Sequence, residues 1–265
     1  MPTNSYQSVL RRDRWIVLAG LVSITALAWL YVTDMAIDMD GIMNMPTSGD
    51  VLTMTRSVHW TASNFVLTSV MWVVMMVGMM VPGASPMILM FTKVNHKQRE
   101  NDEPFVPTVI FVAGYITIWS VYSVAAAGLQ LGLQDADLLS PILTSTSAIY
   151  SGITLVVVGL YQLTTIKNAC LRHCQTPLSF LTTSWRDGYS GAFRMGLSHG
   201  AFCVGCCWAL MALLFVGGVM NVLWGVAITI FVFAEKLMQP GPMFPRISGG
   251  MLVAWGIWTV AMAGH

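Results

Sequence analysis

The chain has 265 residues, of which 55% are hydrophobic and only 9% are charged, and its formal net charge at pH 7 is +1. Soluble domains carry about 25% charged residues, so this composition indicates an integral membrane protein. No basic patch interleaved with aromatic residues is present, and we therefore expect no nucleic-acid partner. No repeat with a period of about 20–50 residues stands out, so the sequence predicts one domain.

Seven apolar segments are long enough to cross a lipid bilayer as helices, which requires about 20 residues. They predict an all-α, polytopic transmembrane helix bundle. Only Met220 and Asn221 separate the fifth segment from the sixth, so we expect these two to form a tight antiparallel pair. The spans are Trp15–Thr33, Phe65–Phe91, Phe105–Leu129, Ile142–Ile166, Met195–Val219, Val222–Met238 and Ile247–Ala263.

The basic residues predict the orientation of the bundle. Lys and Arg total 13, and with a cytoplasmic N-terminus all of them except Arg56 lie on the cytoplasmic side. Because cytoplasmic segments are enriched in Lys and Arg, we expect the N-terminus inside and, after seven spans, the C-terminus outside. The loop Lys167–Arg194 is then cytoplasmic.

A histidine and three cysteines lie within the fifth segment. His199, Cys203 and Cys206 or Cys207 fall on one helix face. Imidazole and thiolate groups are ligands for Cu(I) or Zn(II), and ionisable residues at membrane depth commonly serve function. The alternative is that the cysteines pack as small hydrophobes while the histidine hydrogen-bonds a neighbouring helix.

Two further groups are expected at a similar depth. Met75, Met76, Met79 and Met80 form thioether-bearing faces of the second segment, and thioethers beside thiolates favour Cu(I) over Zn(II). Glu235 could be a metal ligand or could orient His199. The alternatives are that the methionines only fill the core and that Glu235 pairs with adjacent Lys236 or reaches the membrane surface.

Three other patterns leave their roles open. The predicted first outer loop alternates Met with Asp from Asp34 to Met45 and could collect copper or simply be a solvated acidic segment. Cys170 and Cys174 lie one helical turn apart and could exchange metal or stabilise a hairpin. Gly128 and Gly132 form a GxxxG helix-packing pattern. No nucleophile elbow, P-loop, dinucleotide fingerprint or HExxH motif is present.

The chain resembles a bacterial family of predicted metal-binding integral membrane proteins, over roughly Phe65 to Lys236. Some members have been proposed to supply copper to tyrosinases, and the resemblance therefore implies metal handling in the bacterial inner membrane. The resemblance rests on four motifs: Trp72-x2-Met75-Met76-x2-Met79-Met80-Val81-Pro82, Gly159-x-Tyr161-Gln162-x4-Lys167-x2-Cys170-Leu171-x2-Cys174-x2-Pro177, Gly205-Cys206-Cys207-Trp208-x-Leu210-Met211, and Gly218-x-Met220-Asn221-x2-Trp224 followed by Glu235-Lys236.

These observations together predict a membrane protein that binds copper, as Cu(I), and delivers it to a partner cuproenzyme or across the bilayer. Zinc is the alternative metal. A membrane metal oxidoreductase, or an accessory subunit of a copper-dependent membrane enzyme, is the alternative function. The core is poor in histidine, which argues against autonomous oxygen chemistry. A third possibility is a structural subunit whose cysteines only pack.

Overall fold

The computed structural model describes residues 3–43, 61–99, 106–139, 147–237 and 243–263. Within these ranges the chain is helical and contains no β-strand, which confirms the all-α fold class. The helices in chain order are α1 (Thr3–Met43), α2 (Ala62–Arg99), α3 (Thr108–Asp135), α4 (Ala148–Gln162), α5 (Thr165–Gln175), α6 (Pro177–Ser184), α7 (Gly188–Ala212), α8 (Leu214–Gly217), α9 (Val222–Leu237) and α10 (Met243–Ala263).

Four helical stretches are long and apolar enough to cross a membrane: Arg14–Asp38, Ala62–Asn95, Thr108–Asp135 and Gly188–Gly217. The α4–α5 pair adds a fifth if its two arms, bent by 64°, count as one span. The predicted sixth and seventh spans correspond to α9 and α10, and neither meets the same criterion of length and composition. The described helices therefore account for four or five spans rather than the predicted seven.

The first predicted loop is largely helical. Helix α1 continues through Met43, so most of the Met/Asp segment extends the first helix instead of forming a loop at Asp34. Asp34 and Asp38 are exposed on that extension. Met45, at the end of that segment, lies outside the described residues.

The fourth predicted span is broken near its C-terminal end. Helix α4 ends at Gln162, and the Thr164 side chain accepts a hydrogen bond from the backbone N–H of Lys167, which caps the new helix α5. A side-chain oxygen at this position satisfies a free backbone donor and so favours a helix start. The predicted cytoplasmic loop Lys167–Arg194 is consequently helical in α5 and α6, and α5 packs back against α7.

A tight turn precedes α9, but the predicted tight antiparallel pair does not form, because α9 packs mainly against α2 and only slightly against α7. Gly218 adopts φ +99°, a conformation that glycine adopts without strain, and it ends α8. The Asn221 side chain then accepts a hydrogen bond from the backbone N–H of Trp224 at 3.1 Å and caps α9. This reversal returns the chain so that α9 packs against α2 and α7.

Close helix crossings depend on glycines other than the predicted pair. Nothing lies within 4 Å of a Cβ placed at Gly132, so the GxxxG pattern does not mark a close contact there. Helices α4 and α10 instead approach backbone to backbone, with Gly159 facing Gly249. Small residues at an interface allow this close approach, which brings many atoms into van der Waals contact.

We expect Gly249→Ala to lower the free energy of unfolding by roughly 1–3 kcal/mol, because the added methyl group overpacks the crossing. Its Cβ would lie 2.8 Å from the carbonyl oxygen of Gly159. Gly250→Ala is the matched control, since nothing lies within 4 Å of a Cβ there. Unfolding of both purified variants in detergent measures the difference, and equal stabilities would contradict the close crossing.

Candidate metal centre

Four thiols from two helices meet in the protein core: Cys174 of α5 and Cys203, Cys206 and Cys207 of α7, hereafter the thiol cluster. Cys206 Sγ lies 3.1 Å from Cys207 Sγ and 4.0 Å from Cys174 Sγ. The Cys203 thiol interacts with the other three. The three α7 cysteines are buried and all four are free thiols. The structure therefore brings the predicted α7 cysteines together and adds Cys174.

Lys236 of α9 places its ammonium group against the thiol cluster. Its Nζ lies 3.0 Å from Cys203 Sγ and 3.9 Å from Met80 Sδ. Tyr115 Oη lies 3.1 Å from Cys203 Sγ and 3.2 Å from the backbone carbonyl oxygen of Met80. Gly83 leaves room for the lysine, since a Cβ there would lie 3.3 Å from Lys236 Cδ. The cation is thus positioned to offset the charge of a Cys203 thiolate.

Glu235 forms a buried ion pair with Lys167 at the start of α5. Lys167 Nζ lies 2.6 Å and 2.8 Å from the two carboxylate oxygens. Gln162 Nε2 lies 3.4 Å from one of them, and Gln175 donates to the backbone carbonyl of Glu235 at 2.7 Å. The alternative in which Glu235 pairs with adjacent Lys236 is wrong, because the Glu235 carboxylate forms its ion pair with Lys167. The ion pair ties the α4–α5 bend to α9, and a role for Glu235 at a metal stays a prediction.

His199 is buried among aromatic rings. Its ring stacks on Phe111 and Tyr115 with centroid separations of 6.1 Å and 5.7 Å, and Phe180 packs at 5.8 Å. Its Nδ1 is buried and has no hydrogen-bond partner. Buried polar atoms are nearly always paired, so this nitrogen is available to a ligand. His199 lies one helical turn before Cys203.

The four predicted methionines are all buried in the same core. The thioether of Met80 contacts the Lys236 ammonium group beside the thiol cluster, as described above, and Met75, Met76 and Met79 pack in that core.

Among the described residues no group of three His, Cys, Asp or Glu side chains has an arrangement suited to a metal ion. At metal–sulfur distances of about 2.3 Å, two sulfurs on one tetrahedral ion lie about 3.8 Å apart, so the Cys206–Cys207 pair must open to bind one.

Sequence reasoning missed three residues of this site: Lys236, Tyr115 and Lys167. Both lysines were counted only as positive charges of the cytoplasmic side, yet their side chains are 5% and 0% exposed in the core. The sequence did contain one indication of their importance: both lie inside the motifs shared with the family, Lys236 next to Glu235 and Lys167 near Cys170. Tyr115 carried no signal in the sequence, because an isolated tyrosine in an apolar segment is ordinary.

These features define an all-helical protein whose apolar helices enclose a cluster of thiols, a thioether and an ammonium group. The chain belongs to the PpoB2 copper chaperone family, whose family model matches residues 69–259. This match confirms the family resemblance and gives the protein a copper-related role. It covers the thiol cluster, the methionines of α2 and both buried lysines. No curated protein and no solved structure matches the chain.

Proposed function

We propose that this protein binds Cu(I) as cargo in the thiol cluster and delivers it to a partner cuproenzyme. The observation that carries the proposal is the convergence of Cys174, Cys203, Cys206 and Cys207, as free thiols, in a buried core. Four clustered thiols, three of them on buried residues, exceed what packing of isolated cysteines explains, and thiolates are preferred ligands of Cu(I). Membership of a copper chaperone family supports copper as the cargo.

Two further features favour Cu(I) over Zn(II). Met80 provides a thioether beside the cluster, and zinc rarely takes such a ligand. Burying thiolates is costly, so a monovalent ion held by two thiolates and balanced by the Lys236 ammonium gives a neutral site. Zinc held by four thiolates would leave more negative charge in the core.

A multi-pass arrangement in a bacterial inner membrane is part of the same proposal. Large apolar side chains are exposed on helices that meet the span criterion and also on α9 and α10, where Leu223 is 82% and Trp258 is 62% exposed. Lipid would cover these surfaces. The basic residues that flank the first two spans favour a cytoplasmic N-terminus. Impermeant labelling of cysteines introduced at Ser48 and Asn101 tests that orientation: only Ser48 should react from outside.

The oxidoreductase alternative receives less support from the site. His199 is the one buried histidine among the described side chains. Oxygen chemistry at copper usually needs several imidazoles. The proposal therefore assigns the protein to copper handling rather than catalysis.

We expect the Cys203/Cys206/Cys207 triple serine variant to lose its bound copper. Hydroxyl groups are hard donors and bind Cu(I) poorly, while serine preserves the approximate size of each side chain. Metal analysis of the protein purified after Cu(I) loading, compared with wild type, measures the loss. Circular dichroism controls for folding. Copper retained at the wild-type stoichiometry by the folded variant would refute the proposed site.

We expect replacement of Met75, Met76, Met79 and Met80 by leucine to weaken copper retention without changing zinc retention. Leucine keeps the approximate volume and removes the thioethers, which interact with a soft monovalent ion and little with zinc. Competition with Cu(I) and Zn(II) chelators measures both affinities. Unchanged copper affinity would leave these methionines as packing residues and reopen zinc as the cargo.

A further inference from the structure

A polar cavity lies beside the first turns of α7, apart from the thiol cluster. Its volume is about 340 Å³, and Trp185, Arg186, Arg194, Met195 and Ser198 contribute to its lining. Both arginines are exposed, whereas Met195 is only 2% exposed. The cavity thus has cationic walls at its surface and a soft thioether in its depth.

One face of α7 connects this cavity to the thiol cluster. Met195, His199 and Cys203 are spaced four residues apart, which places them on the same helix face about 6 Å apart along its axis. All three are buried. Tyr115 joins the last two, because its ring stacks on His199 and its hydroxyl lies 3.1 Å from Cys203 Sγ.

Aromatic rings provide a second connection between the cavity and His199. Trp185, in the cavity lining, stacks on Phe91 at a centroid separation of 5.8 Å, and Phe91 stacks on Phe111 at 4.8 Å. Phe111 in turn stacks on the imidazole of His199. His199 itself lies between Met195 of the cavity lining and Cys203 on α7, and its Nδ1 is buried among these rings without a hydrogen-bond partner.

We propose that Met195 and His199 form a transfer site through which Cu(I) passes between the polar cavity and the thiol cluster. This inference rests on the proposed function. A thioether and an imidazole are neutral donors, which hold Cu(I) less strongly than thiolates, so the ion moves on to Cys203 by ligand exchange. Copper stays Cu(I) throughout, and each arriving ligand replaces one that leaves.

The charges around the cavity also indicate the chemical form in which copper arrives. Arg186 and Arg194 repel a free cation and attract an anionic complex. The nearby carboxylate of Asp187 accepts a hydrogen bond from Trp185 Nε1 at 2.7 Å. An anionic Cu(I)–thiolate complex therefore fits this surface, and its own thiolates leave as Met195 and His199 take the ion.

The test compares the rate of copper loading with the equilibrium affinity, using full-length purified protein and Cu(I)–glutathione as the donor. Met195→Leu and His199→Phe should each slow loading at least about tenfold. Their affinity, measured by chelator competition, should stay near that of wild type. Met211→Leu is the matched control, a fully buried methionine on the same helix beyond the cluster, and should change neither quantity. His199→Gln replaces His199→Phe if the latter loses helical content.

The outcomes separate this inference from the proposed function. Unchanged loading rates, or losses of rate and affinity in equal measure, would overturn the transfer site. A wild-type protein that retains no copper would refute the proposed function itself.

The Arg186→Gln/Arg194→Gln double variant tests the anionic carrier. It should load more slowly from Cu(I)–glutathione and lose the salt dependence of the loading rate. Retained salt dependence would overturn the anionic carrier.

Discussion

Replacing Lys167 by methionine is expected to lower the free energy of unfolding by about 3–5 kcal/mol, because it leaves the Glu235 carboxylate buried without its cation. The two side chains are 0% and 1% exposed. Gln162 Nε2, at 3.4 Å from that carboxylate, is too weak a hydrogen-bond partner to replace the lysine. Chemical or thermal unfolding in detergent measures the loss.

The Lys167→Met/Glu235→Met double variant is the matched control for this effect. Replacing both partners removes the unpaired charge, and apolar replacements of buried ion pairs are often neutral or stabilising. The double variant should therefore recover most of the stability lost in Lys167→Met. If the single variant is as stable as wild type, the ion pair does not hold the α4–α5 bend against α9.

Replacing Lys236 by methionine is expected to weaken Cu(I) binding by roughly 10- to 150-fold, which corresponds to the 1.5–3 kcal/mol typical of a hydrogen bond to a charged group. The ammonium group lies 3.0 Å from Cys203 Sγ. Without it, a copper site with two thiolates carries an uncompensated negative charge in the core. Chelator competition on the folded variant gives the affinity.

Lys93→Met serves as the control, because Lys93 is an exposed lysine on α2 and its loss changes net charge without touching the cluster. Its copper affinity should match that of wild type. Tighter binding by Lys236→Met would contradict the counter-charge role. It would show instead that the ammonium group competes with copper for the sulfur donors of Cys203 and Met80.

Local sequence patterns were sufficient for the features that depend on neighbours along the chain. The apolar segments predicted the helices, because burial of a helix requires a continuous apolar stretch. The spacing of Cys203 and Cys207 predicted a shared face of α7, because helical geometry repeats every 3.6 residues. The short break at Met220 and Asn221 similarly marked the turn before α9, where the structure shows Asn221 capping the helix.

The helix ends and breaks were less predictable from hydropathy. Apolar character runs through the α4–α5 junction, yet Thr164 caps a new helix there and the chain bends by 64°. Hydropathy averages over a window and does not register a single hydrogen bond. Likewise, the spacing of Gly128 and Gly132 resembled a packing motif, but only the packed structure showed that Gly159 and Gly249 make the close contact.

The sequence by itself determined that this is an all-helical, copper-related family member with a thiol-bearing helix. The tertiary structure decided which polar groups meet. Charge alone placed Lys167 and Lys236 on the cytoplasmic side, whereas the folded chain buries Lys167 against Glu235 and Lys236 against Cys203. It also brought Cys174 from a predicted loop to the cluster. Burial of a charge becomes favourable only through its partner, and those partners lie 68 and 33 residues away in the chain.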